Sequence, residues 1–284
     1  MKANASNNLA SVKSQSGFSL IELIIVIVLT GILASMTTSV LELPIRAYVD
    51  STRRATLTDA AESSLRRLQR DIRRALPNSI RISPDQTTME LLHLVDGGRY
   101  RAMPDNSNPI LPTGDILDFD VNDNAFDVLG ELNNLSDITI NSDRVVIYPL
   151  DSIGSDPYAG DNTSVITAVT TNRLTFTPFQ FPLKSPNQRF FIIDTPVTYR
   201  CNTTPTAPDN KTLLRYANYP IQALQPLVPA IAPAIQANQI ASCRFSFNSG
   251  SSTRSAVVTI ELTLTDEANE SVNLIHQVHL DNQP

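Results

Sequence analysis

The chain is short of the residues on which chemistry usually rests. It holds three histidines and two cysteines in 284 residues. It has no Cys-x-x-Cys pair, no Gly-rich phosphate loop and no nucleophile motif. His276 and His279 fall on an expected strand, where residues three apart face opposite sides, so they make a poor metal clamp, and His93 stands alone. No catalytic constellation can be assembled, and neither an enzyme nor a cofactor is expected. Basic charge is also in deficit: 22 Lys and Arg against 28 Asp and Glu give a net charge of -6, which offers no general attraction to nucleic acid. Glycine is scarce, nine residues against 19 prolines, which suits a loop-rich β body.

What the chain does have is one long apolar run. From Gly17 and Phe18 through Ser19-Leu20-Ile21-Glu22 the residues stay apolar to Leu33, broken by Thr30 and Gly31, and the stretch closes at Met36. About twenty such residues cross a hydrocarbon core as a helix, at ~1.5 Å each over ~30 Å. Glu22 is its one charge, and an unpaired carboxylate there costs roughly 2.5 to 3.5 kcal/mol. Residues 1–16 are polar, acid-free and carry Lys2 and Lys13, a pattern that keeps this end inside and sends the body out. On an exported body Cys201 and Cys243 read as one disulfide, with two buried thiols as the alternative. Joining them closes a loop of ~40 residues and stabilises by roughly 3 to 4 kcal/mol.

Helical spacing continues beyond the membrane run. Leu57, Ala61, Leu65, Leu68, Ile72 and Ala75 trace one face, Pro44 interrupts the ladder, and Pro77 ends it. One helix from about Phe18 to Leu76 is therefore expected, its second half packed on the body. Its polar side is rich in arginine. Arg66, Arg67, Arg70, Arg73 and Arg74 read as a solvated face with pairs such as Glu62-Arg66 and Arg67-Asp71, or as a docking strip for acidic neighbouring subunits. A DNA strip ranks third, since interleaved aromatics are lacking.

After Ser79 the period becomes two. Strands are expected at 79–82, 89–95, 144–148, 164–169, 173–177, 190–194, 197–201, 213–216, 242–247, 256–265 and 272–280. The last two form a hairpin whose apolar face should meet the Leu57-to-Ile72 stripe. Pro104 to Leu135 reads as a long loop, or a short helix near Ala125 to Leu129, and Pro220 to Ala237 as an extended excursion. Within the acidic stretch Asp115 to Asn124, Asp118, Asp120 and Asp123 are weak calcium candidates; the EF-hand glycine turn and terminal glutamate are missing, and a solvated loop is the alternative.

Gly17-Phe18-Ser19-Leu20-Ile21-Glu22-Leu23 resembles the signature of type IV prepilins and type II secretion pseudopilins. The resemblance implies an α+β, pilin-like fold: a long N-terminal helix packed on an antiparallel sheet body with long loops. It implies cleavage between Gly17 and Phe18 by a prepilin peptidase, N-methylation of Phe18, and pairing of Glu22 with a neighbour's amino terminus; snorkelling of Glu22 to the headgroups is the alternative. Loss of both leader lysines would leave a net charge of -8. The implied layout is a leader (1–17), a membrane part (18–40), an amphipathic spine (41–77) and a periplasmic or extracellular body (78–284). Implied partners are the peptidase, other major and minor pilins and the inner-membrane assembly platform, with the chain a single-pass inner-membrane protein before it reaches the pilus surface. Three further segments, Asp71 to Arg81, Val197 to Cys201 and Leu274 to Pro284, resemble minor pilin-like subunits of mannose-sensitive haemagglutinin (MSHA) pili. That reading gives a role in pilus assembly and adhesion; a minor pseudopilin of type II secretion and a tip adhesin are the alternatives.

Overall fold

The computed structural model describes residues 17–105, 113–150, 152–203, 211–249 and 255–280, with only the backbone described at 38, 39 and 41. The expected leader before Gly17 and the last four residues lie outside this set. The chain divides into two compact units, Met1–Thr52 and Arg53–Pro284. One helix, α1 (Leu20–Arg73), contributes to both.

In the first unit α1 is apolar and exposed. An 18-residue window has mean hydropathy 2.4 and none of it is buried, so the helix is long and apolar enough to cross a bilayer. The Thr30 hydroxyl donates to the Val26 carbonyl at 2.7 Å, which satisfies the polar atom inside the helix itself. α1 runs on through Pro44, whose ring removes one hydrogen bond without ending the helix.

The second unit holds the rest of α1 and two antiparallel sheets. The larger is built from β1 (Arg81–Ile82), β2 (Thr88–Arg99), β3 (Asp123–Asp127), β4 (Arg144–Ile147), β5 (Thr163–Val169), β6 (Arg173–Phe179), β7 (Arg189–Asn202), β8 (Thr212–Ala217) and β9 (Ala234–Ala237). The smaller is β10 (Ile240–Asn248), β11 (Ala256–Thr265) and β12 (Ser271–Leu280), in that order. In the larger sheet β7 is the axis. One of its edges pairs with β2 along its length, while the other is shared, Phe190 to Ile193 with β4 and Val197 to Asn202 with β8.

The stripe Leu57, Ala61, Leu65, Leu68 and Ile72 is buried, as its spacing requires. It meets the hairpin face expected for it, through Ile260, Leu262 and Val278, and also Phe245 of β10. The same core takes Met89, Leu91, Val197 and Tyr199 of the larger sheet. A second core lies further along β2 and β7 and is aromatic: Tyr100, Phe126, Phe176, Phe181 and Phe190.

Four local expectations are corrected. The helix ends at Arg73 rather than Leu76, because β2 captures the backbone that follows: Leu76 N–H donates to Leu92 O at 2.8 Å and Leu94 N–H to Arg74 O at 2.8 Å. The two strands expected at 190–194 and 197–201 are one strand, β7, and Pro196 is tolerated because it sits where the β2–β7 register slips between Leu92 and Leu94. No helix forms at Ala125 to Leu129; Asp123–Asp127 is instead strand β3, set opposite β6 with Phe126 against Leu174. The excursion from Pro220 ends in a strand, β9, that pairs with β8.

Candidate functional site

The motif residues sit at the start of α1. Gly17, Phe18 and Ser19 precede the first helical residue, and Phe18 is exposed. A Cβ added at Gly17 would meet nothing within 4 Å, so neither packing nor backbone conformation asks for glycine there. Ser19 caps the helix: its side-chain oxygen accepts the Glu22 N–H at 3.3 Å and its carbonyl accepts the Leu23 N–H at 3.2 Å. Ser19 and Glu22 thus have the Ser-x-x-Glu spacing of a capping box, a local order that the composition of the run does not announce. Among the described residues the Glu22 carboxylate has no hydrogen-bond or ion-pair partner. A carboxylate left so on an apolar helix needs one from another molecule or from the headgroup region.

Residues 12–38 match the family model of the prokaryotic N-terminal methylation motif. That motif places the chain in the type IV pilin and pseudopilin superfamily. No curated protein and no solved structure matches the chain. The fold agrees with the family: this pilin-like protein has a long apolar N-terminal helix whose second half packs on antiparallel sheets. Proteins of this class are structural rather than catalytic. The motif implies processing by a prepilin peptidase and assembly with pilins, and the apolar helix implies anchoring in the inner membrane before assembly.

Elsewhere the structure sorts the candidate residues of the pilin body. Cys201 and Cys243 are joined, with their Cα atoms 6.0 Å apart. The bridge does more than staple the excursion. It ties β7 of the larger sheet to β10 of the smaller one and so closes the helix-backed core at one edge. Asp118 and Asp123 spend carboxylate oxygens on backbone N–H groups, of Asp120 at 2.8 Å and Asp118 at 2.8 Å. Among the described residues no three His, Cys, Asp or Glu side chains cluster closely enough to hold a metal. His276 faces inward to Gln69 of α1 at 3.3 Å while His279 is exposed, so the two lie on opposite faces of β12.

The arginines divide. Arg66 pairs with Glu62 at 2.9 Å, as the spacing predicts. The expected Arg67-Asp71 pair does not form. Asp71 turns inward and accepts from Arg215 Nε at 2.7 Å and from the Tyr199 hydroxyl at 2.8 Å, which locks α1 to β7 and β8. Burial, and then the Asp71 carboxylate, hold the Tyr199 phenol well above its ordinary value. Arg67 instead donates to Gln236 of β9 at 3.0 Å. Arg66, Arg70 and Arg73 line an open depression on the outer side of α1, with Asp59, Glu62, Ser63 and Gln69. The Asp71 lock was hidden in the sequence because both of its partners are more than 120 residues away.

Proposed function

We propose that this chain is a minor, pilin-like subunit of an MSHA-type pilus, most like the subunit MshO, and that it acts in pilus assembly. A peptidase cut between Gly17 and Phe18 frees an amino terminus that is methylated on Phe18. Glu22 then pairs with a neighbouring subunit's amino terminus, and Arg66, Arg67, Arg70, Arg73 and Arg74 offer cations to acidic neighbours. The body stands in the periplasm until the subunit enters the filament. The observation that carries this reading is the segment itself: a glycine with no packing duty, a Ser19-capped helix start, and a Glu22 carboxylate that has no partner among the described residues on an exposed apolar helix.

Mass spectrometry of the amino terminus, with and without a prepilin peptidase, tests it. The expected product begins at Phe18 and carries one added methyl group, and Gly17→Ala blocks the cut without changing the melting temperature of the body. An uncut terminus in the presence of the peptidase would overturn the reading. Glu22→Leu should be cut normally and yet fail to enter filaments.

A further inference from the structure

From Ala217 to Cys243 the chain carries no charged residue. Ile221 tucks against a small core that includes Leu76 and Leu92, and Pro229 and Ala237 are buried, but five of the larger apolar side chains between Ile221 and Ala237 face out. Leu224, Leu227, Val228, Ile231 and Ile235 are 85%, 52%, 55%, 37% and 60% exposed.

This track is held from both ends. At one end the Arg81 guanidinium donates to the Ala223 carbonyl at 2.7 Å and the Gln222 carbonyl at 2.8 Å. Arg81 is aimed by Glu90, fully buried on β2, through a 2.7 Å ion pair, and the Tyr219 hydroxyl donates to the other Glu90 oxygen at 2.8 Å. The guanidinium also stacks 3.6 Å above the Tyr158 ring. A buried carboxylate is costly unless matched, so the fold commits a buried ion pair to presenting an apolar segment. At the other end β9 lies against α1: Ser64 Oγ donates to the Gln236 carbonyl at 2.9 Å and Arg67 to its side chain at 3.0 Å. Arg74, in the turn that closes α1, keeps the helical hydrogen bond of its N–H to the Arg70 carbonyl at 3.2 Å, is exposed and has no ion pair among the described residues. An apolar track is thus bordered by guanidiniums.

We infer that this track and its arginine border form a lateral docking surface for an amphipathic helix of a different subunit, one carrying carboxylates beside its apolar stripe. The occupant follows from three features. Pro226, Pro229 and Pro233 remove backbone donors, and Ser64 takes the Gln236 carbonyl, so a strand cannot be added here. Guanidiniums beside an apolar strip call for carboxylates beside another. A second copy would bring the arginine-rich face of its own α1 against Arg67 and Arg74, which repels. The inference rests on the assembly role proposed above and adds the chemistry of the partner.

The full chain, reconstituted in lipid nanodiscs of neutral lipid with empty discs as the blank, is titrated with a synthetic Leu/Glu amphipathic helix of about 20 residues and its Leu/Lys counterpart. Saturable binding of the Leu/Glu helix alone is expected. Leu224→Asp with Val228→Asp should weaken it about tenfold, and Arg67→Glu with Arg74→Glu about fivefold. All four side chains border solvent, and unchanged melting temperatures would show that each variant folds. No binding, equal binding of the Leu/Lys helix, or binding unmoved by both pairs of substitutions overturns the inference. So does a dimer that Leu224→Asp with Val228→Asp abolishes, which would give the track to a second copy, or contact of the track with the disc lipid, which would give it to the membrane. The assembly reading fails separately, on an uncut amino terminus.

Discussion

The two cores of the body are built differently. The helix-backed core is aliphatic and takes its order from α1: one stripe at steps of four and three, pressed between a three-stranded sheet and one end of the larger sheet. The second core has no helix. It is a chain of aromatic contacts, with the Phe126 ring 5.1 Å from Phe190, 5.9 Å from Phe176 and 6.2 Å from Tyr100, tilted or edge-on in each case. The first core is organised by a local period and the second by residues that meet only after the strands have paired. β2 and β7 run through both, so the two cores should melt as one cooperative unit.

Chemical denaturation of the soluble fragment from Arg53 onward tests that most sharply. Phe126→Ala should cost about 3 to 5 kcal/mol, and Leu68→Ala about 2 to 5 kcal/mol, each shifting a single transition. Two separable transitions, one moved by each variant, would break the idea of a shared unit. Next in size is the bridge that closes only the helix-backed core. Cys201→Ser with Cys243→Ser should lose roughly 3 to 4 kcal/mol through the freed unfolded chain. Fluorescence and far-ultraviolet melts should report the same loss; a loss seen by one probe alone would mean that the cores uncouple once the bridge is gone.

The smallest effect concerns Glu90, on the side of β2 away from the α1 stripe. Burial pushes its carboxyl above its ordinary value of 4.5, against the opposing pull of Arg81 and Tyr219. The folded state therefore holds the proton more tightly than the unfolded state. Its contribution is fully present below the unfolded value and is lost as the pH rises through the folded one. Stability should decline as the pH rises from about 4.5, and Glu90→Gln should flatten that decline. An identical slope in both proteins would show that Arg81 fully offsets the burial.

Legibility followed the same division. The Leu57-to-Ile72 stripe, the closing hairpin and most strand positions could be read because each is set by a period of 3.6 or 2 within one segment. β3 could not, since Asp123-Asn124-Ala125-Phe126-Asp127 has no period long enough to declare a strand; the aromatic core selects it by seating Phe126. β7 reads as two strands in the sequence because Pro196 resembles a break, and the register slip opposite it removes that break. At the candidate site, Gly17, Phe18 and Glu22 stand out in the sequence because the motif that contains them is one contiguous run. The expected Arg67-Asp71 pair fails for the opposite reason. Spacing along a helix states which side chains can meet, while Arg215 and Tyr199, brought in by the sheet, decide which do.

The N-terminal motif, the apolar helix and the face that α1 buries are written locally in the chain, since all three depend on neighbours within a few turns. Folding settles the rest: the disulfide joins two sheets, Asp71 locks the helix to the body, and Arg81 and Glu90 hold an uncharged excursion open to solvent. Those features need partners far apart in the chain, and chain distance carries no information about them until the strands have paired.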